Sequence, residues 1–307
     1  MDKKPNAPPA SSGFSAPPPP PSPKAAPGKS PEKHSPRSTV PKVVGLELSS
    51  GPNMAAHRAV IFGTGGVGKT TLAAHLPSPI FIDLEDGTRS LNVARDSSVE
   101  TWDDLRGKLA GLASSPPPGV KTVVIDTATA AEEFAKEHVI ANRRTEKGHS
   151  VESIEGFGWG KGWQYVYEEF TGLLADLDRL IQKGLNVCLI AHDVSSPVPN
   201  PAGEDFIRWE PFLYSGDKKG RGSIRDRVKN WADHVAFVCY DVHVQDGKGR
   251  GSGTRSIYTS EMPTHVAKSR TAELSIPFSA EDPGALWRHL GIITPQPAAH
   301  KETGANN

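Results

Sequence analysis

Between Val43 and Gly291, short apolar, β-branched runs alternate with longer amphipathic stretches. That pattern predicts an α/β fold with a mainly parallel sheet flanked by helices. Ala59-Val60-Ile61-Phe62 predicts a first strand, followed by glycines and a helix through about Leu76. Pro79–Asp83 predicts a second strand. A helix follows over Thr101–Ala113, with Thr101 as its N-cap ahead of Asp103 and Asp104. Thr122–Asp126 predicts a third strand and Ala130–Asn142 its helix. A glycine- and aromatic-rich insert, Lys147–Trp163, precedes a long helix over Tyr165–Lys183 that stops at Gly184. Asn186–Ala191 predicts a fourth strand, Asp193–Ser223 a loop, and Ile224–Ala232 a helix. The fifth run, His234–Val244, is expected to pair with Arg255–Thr259 across a turn over Gly247–Gly253, before a last helix over Pro283–Leu290. The chain carries no internal repeat.

Composition changes this picture at the ends. Residues 1–50 hold 13 of the 28 prolines, with seven Lys and Arg against three Asp and Glu. So few large apolar side chains cannot offset the entropy of ordering, and a disordered, basic, Pro/Ser-rich arm is expected over 1–50. The formal net charge of zero then hides a basic arm on a slightly acidic body. Residues 51–292 form the expected folded domain and 293–307 a flexible tail. No N-terminal apolar segment and no run of roughly 18 apolar residues is present, so neither secretion nor a membrane span is expected. Cys188 and Cys239 each lie in an apolar run, read as buried thiols in a reducing cytoplasm, with no zinc spacing.

One segment carries specific chemistry. Gly63-Thr64-Gly65-Gly66-Val67-Gly68-Lys69-Thr70 fits G-x-x-x-x-G-K-[ST] directly after a predicted strand and before a predicted helix. In that context the glycines let backbone N–H groups curl around a β-phosphate at a helix N-terminus. Lys69 would reach the β- and γ-phosphates and Thr70 would ligate Mg²⁺, with Thr71 next in the loop. Asp126, at the end of the third apolar run, suits a strand-end carboxylate facing the Mg²⁺ shell opposite Thr70. The residue after it is Thr127, so another carboxylate must orient the attacking water. Glu85 is the candidate, with Asp83 and Asp86 as competing acids.

From Glu85 onward the chain resembles the RecA-like recombinases, whose catalytic glutamate stands at the tip of the strand after the P-loop helix. That resemblance makes His192, at the end of the fourth strand, a γ-phosphate sensor in place of the more usual Gln. It also places single-stranded DNA at two loops. The first holds Phe157, Trp159, Lys161 and Trp163, and the second Arg208, Lys218, Lys219, Arg221, Arg225, Arg227 and Lys229 with Trp209, Phe212 and Tyr214. Cations neutralise phosphates and aromatic rings stack on bases. Val266-Ala267-Lys268-Ser269-Arg270 is similar to the paired cations that recombinases insert into a neighbour's ATP site.

Residues 57–290 together resemble the phage-encoded ATP-binding proteins of the AAA_24 type, through Phe81-Ile82-Asp83 with Glu85, Gly158-Trp159-Gly160-Lys161-Gly162, Ile190-Ala191-His192 and Lys229-Asn230-Trp231-Ala232-Asp233. The resemblance implies a RecA-like ATPase using ATP and Mg²⁺ on single-stranded DNA in recombination. It implies a homo-oligomeric ring or filament, a single-stranded-DNA-binding protein as a further partner, and the cytoplasm of a bacterial host. Two alternatives are a ParA-like or other P-loop ATPase and a nucleotide-binding scaffold without DNA-dependent turnover. The ParA signature lysine is replaced by Thr64, and no Asn-Lys-x-Asp tetrapeptide is present to read guanine.

Overall fold

The computed structural model describes residues 56–217, 222–245, 248–269 and 275–293. Eight strands form one sheet: β1 (Arg58–Gly63), β2 (Pro79–Asp83), β3 (Ala94–Asp96), β4 (Thr122–Asp126), β5 (Asn186–Ala191), β8 (His234–Gln245), β9 (Lys248–Tyr258) and β10 (Ser275–Pro277). The remaining two, β6 (Asp193–Val198) and β7 (Phe206–Pro211), pair only with each other. The helices are α1 (Lys69–Ala74), α2 (Trp102–Ser114), α3 (Ala128–Asn142), α4 (Lys161–Gln182), α5 (Ile224–Trp231) and α6 (Ala285–His289). The large sheet runs β10-β9-β8-β1-β5-β4-β2-β3, parallel from β8 to β3 and antiparallel at β9 and β10. This is the expected α/β architecture, a mainly parallel sheet flanked by helices.

The strands read as unbroken apolar runs because both faces of the sheet are covered. Alternate side chains divide between two cores. Val60, Phe62, Val123, Ile125, Val187, Leu189 and Phe237 pack under the layer of α2, α3 and α4. Ala59, Ile61, Phe81, Val124, Cys188, Ile190 and Val238 pack under α1 and α6. On α4 the buried residues Val166, Phe170, Leu173, Leu174, Leu177 and Leu180 follow helical spacing. The Trp287 indole N–H of α6 donates to Leu72 O at 2.8 Å, locking α6 to α1. Thr101 begins α2 as a capping box, in which its hydroxyl and the Asp104 carboxylate each accept the other residue's backbone N–H at 3.1 Å.

Four local expectations change. The segment after β5 is not a plain loop; its first part is the β6–β7 ribbon. The predicted turn over Gly247–Gly253 is largely strand, since β9 begins at Lys248. Helix α4 starts at Lys161 and takes Trp163 into its first turn. Strands β3 and β10 are three-residue edges with no run of their own in the sequence. Both cysteines are free thiols; burial raises Cys188 far above its usual range and Cys239 to about 11. Among the described residues no helix is long and apolar enough to cross a membrane.

Candidate nucleotide site

The parallel strands all end at one edge of the sheet, and the loops after β1, β2, β4 and β5 meet there. They line a cavity of about 350 Å³ that includes Gly65, Gly66, Gly68, Lys69, Thr70, Thr71, Glu85, Asp126 and His192. Gly63 ends β1 against the backbone of β8. A Cβ there would lie 2.0 Å from Val238 O, so only glycine fits. The Lys69 ammonium is buried and donates to Gly63 O at 2.6 Å and Thr64 O at 3.0 Å. Burial pulls its pKa down, while Asp193, Asp126 and Glu85 push it back up. Asp193 is therefore part of the field around this lysine.

Thr70 Oγ1 donates to Asp126 Oδ2 at 2.8 Å, joining the start of α1 to the end of β4. Burial pushes the Asp126 carboxyl up to about 6, a rise that the Thr70 hydrogen bond and Lys69 only partly oppose. A buried carboxylate beside a hydroxyl is a hard oxygen pair, and the raised pKa marks a charge that a cation would stabilise. The pair therefore fits Mg²⁺.

The competing acids after β2 separate by environment. Asp83 is buried and accepts from Gly87 N at 3.0 Å, Thr88 N at 2.9 Å, the Thr88 hydroxyl, and more weakly Glu85 N at 3.4 Å. Burial alone would raise its pKa, but these bonds outweigh burial and hold it below the usual carboxylate range. Asp83 thus organises the loop that carries Glu85. Asp86 points outward with Arg89 3.9 Å away. Glu85 faces the cavity, its Oε2 3.1 Å from His192 Nε2. The His192 backbone is fixed in turn: its amide N–H donates to Thr129 Oγ1 at 3.1 Å and its carbonyl accepts from Phe212 N–H at 2.8 Å.

The residues expected at DNA are placed less uniformly. Trp159 is 101% exposed, held at positive φ between two positive-φ glycines. Lys161 is ion-paired with Glu146. Phe157 is buried, and Trp163 stacks on Tyr214 with centroids 4.0 Å apart. Arg208 pairs with Glu261, Arg225 with Glu210, and Lys229 with Glu261. Lys218, Lys219, Arg221 and Arg270 lie outside the described residues. Lys268 is not placed as a projecting prong: its ammonium donates to Lys229 O at 3.1 Å, Asn230 O at 3.2 Å and Ala232 O, capping the C-terminal end of α5.

Three residues that sequence reasoning missed approach the phosphate loop from its outer side. Tyr240 Oη donates to Gly66 O at 3.0 Å, and Arg255 Nη1 donates to Val67 O at 2.9 Å. The Phe278 ring lies 4.3 Å from the Arg255 guanidinium carbon. Only the predicted pairing of the Arg255 segment with β8 hinted at them.

The family profile agrees with this construction. The profile of the AAA_24 family, described as an AAA domain, matches residues 55–271. No curated protein matches the chain. Among solved structures, a KaiC-like protein from the hyperthermophilic archaeon Pyrococcus horikoshii OT3 is similar at 14% identity, over 72% of this chain and 84% of that one, with a TM-score of 0.39. With the glycine loop, the Asp126 strand and the family profile falling on the same residues, the chain belongs to the AAA_24 family of P-loop AAA-domain proteins.

Proposed function

We propose that the protein hydrolyses ATP with Mg²⁺ at the β1–α1 loop, and that it does so as a RecA-like assembly acting on single-stranded DNA in phage recombination, by annealing or strand pairing. The observation that carries the hydrolytic reading is two hydrogen-bonded pairs around one cavity, each with one carboxylate: Thr70 with Asp126, and Glu85 with His192. Mg²⁺ held at Thr70 and Asp126 would neutralise charge on the phosphates. Lys69 exchanges its two loop carbonyls for phosphate oxygens. Glu85 accepts a proton from the attacking water, and His192 senses the γ-phosphate from the far side while holding Glu85 in place.

The DNA reading draws support from the fully exposed Trp159, a stacking face with no packing role, and from the family resemblance. The cations proposed for phosphate contact are Lys218, Lys219 and Arg221, which lie outside the described residues, beside the exposed Arg227; Lys161, Arg208, Arg225 and Lys229 are engaged by carboxylates. Arg270 remains the candidate for completing a neighbouring copy's site. A single-stranded-DNA-binding protein is a further proposed partner, and the bacterial host cytoplasm the proposed location. Steady-state ATP turnover with and without single-stranded and double-stranded DNA tests the whole reading. Stimulation by single strands supports it; turnover indifferent to DNA points to another kind of P-loop ATPase, and no turnover points to a nucleotide-bound scaffold.

A further inference from the structure

We infer that Arg255, Tyr240 and Phe278 form a brace that sets the phosphate-binding shape of the glycine loop, with Arg255 as a positioning residue for nucleotide affinity. The inference rests on the loop being the nucleotide site. Tyr240 and Arg255 are direct cross-strand partners on β8 and β9, so their side chains leave the same face of the hairpin. The pairing register shifts immediately beyond Tyr240, between Tyr240 and Val242, an irregularity of the kind that re-aims a side chain beside a functional site. Both side chains meet outward-facing carbonyls of consecutive loop residues, Gly66 and Val67.

A trans peptide is planar, so its N–H points opposite to its C=O. Fixing Gly66 O and Val67 O on the outside therefore turns the N–H groups of Val67 and Gly68 toward the inside of the loop, the proposed phosphate position, where Val67 N–H meets Thr64 O at 3.3 Å. The Phe278 ring lies under the guanidinium carbon, 4.3 Å from it, and the Phe278 backbone N–H donates to Arg255 O at 2.9 Å. Gly68, at φ 104°, closes the arrangement: a Cβ there would come 2.8 Å from Arg255 Nη1 and 2.9 Å from the Phe278 ring. Among the described residues no carboxylate lies within ion-pairing distance of Arg255, so its charge also adds to the positive field at the loop.

The test is ADP binding by titration calorimetry, together with ATP kinetics and thermal melting, on full-length variants. Arg255→Ala should raise the ADP Kd about tenfold or more, the loss expected of one charge-assisted hydrogen bond. KM for ATP should rise with it by more than kcat falls, and the melting temperature should hold. Arg255→Lys should not restore affinity, because an ammonium cannot stack on Phe278 while donating to Val67 O. Tyr240→Phe removes a single hydroxyl from a half-exposed ring and should raise the Kd about threefold. A folded Arg255→Ala protein with wild-type ADP affinity overturns the brace; if that variant does not fold, wild-type affinity in Tyr240→Phe does so. Wild-type protein that fails to bind ADP instead overturns the nucleotide site itself, and the brace with it.

Discussion

Lys69 is held before any phosphate arrives by the carbonyls of Gly63 and Thr64, and burial already destabilises its charged form. Phosphate oxygens offer that ammonium formal charge in place of carbonyl dipoles, so binding relieves a cost stored in the loop. Lys69→Ala should therefore abolish ATP turnover while leaving the circular-dichroism spectrum and melting temperature near wild type. Wild-type hydrolysis by that variant would sink the site assignment. Glu85 presents a different test, since it touches His192 and not the loop. Glu85→Gln should keep nucleotide affinity and lower kcat by about 10²-fold or more, the usual scale for losing a general base. His192→Gln, which keeps a hydrogen-bonding group facing Glu85, should retain far more turnover than His192→Ala; equal loss in both would deny His192 a positioning role. Lys69, Thr70 and Asp126 were legible in the sequence because a phosphate loop and a strand-end acid are local patterns. Tyr240, Arg255 and Phe278 were not, because sheet pairing brings them to the loop from more than 170 residues away. Glu85 is already the candidate by sequence, on the family resemblance; the fold adds that its competitor Asp83 is committed to the backbone of its own loop.

Helix α3 links the end of β4 to the segment after β7, and its Glu132 accepts Tyr214 N–H at 2.8 Å while only 7% exposed. Burial pushes this carboxyl up to about 7, against the opposing pull of Tyr214 N–H and Lys136. An unfolded glutamate titrates at about 4.3. Between those values the folded state binds more protons than the unfolded one, so stability from this group is present at low pH and is lost as pH rises toward 7. The shift corresponds to on the order of 3 kcal/mol. His57 acts in the opposite sense, because burial lowers its pKa and so favours the folded state at higher pH. Comparison of variant with wild type separates the two. Glu132→Gln should gain stability over wild type in urea unfolding at pH 8 and little at pH 5; the same difference at both pH values would mean the buried charge is not the cause. At this scale the parallel strands β2, β4 and β5 were readable to the residue, since burial on both faces leaves an unbroken apolar run. The β6–β7 ribbon was not. Its two strands hold Pro197, Pro211 and several charges, and one of their faces meets solvent, so no apolar run marks them.

For the whole molecule the deciding quantity is which cations are left for a polyanion. The sequence around the segment after β7 reads as a basic, aromatic loop, yet folding brings Glu210 and Glu261 against Arg208, Arg225 and Lys229. Lys161 meets Glu146 in the same way, and Lys268 is turned onto the end of α5. A paired cation releases few counterions when a phosphate approaches, because its carboxylate partner already screens it. If single-stranded DNA is the effector, the three proposed phosphate contacts are Lys218, Lys219 and Arg221, which lie outside the described residues; Arg227 is exposed beside them. Each phosphate contact by a single strand contributes roughly 0.7 to the log–log slope, so charge reversal at all three should flatten the slope by about 2. Arg208→Ala should leave the slope as it was and lower the melting temperature, because it removes an internal ion pair. Fluorescence-anisotropy titrations over a range of salt concentrations distinguish these outcomes. An unchanged slope after the triple reversal, with binding intact, would move the phosphate contacts off this segment. A reduced slope in Arg208→Ala would mean that DNA displaces Glu261 and draws on cations the free protein keeps for its own fold.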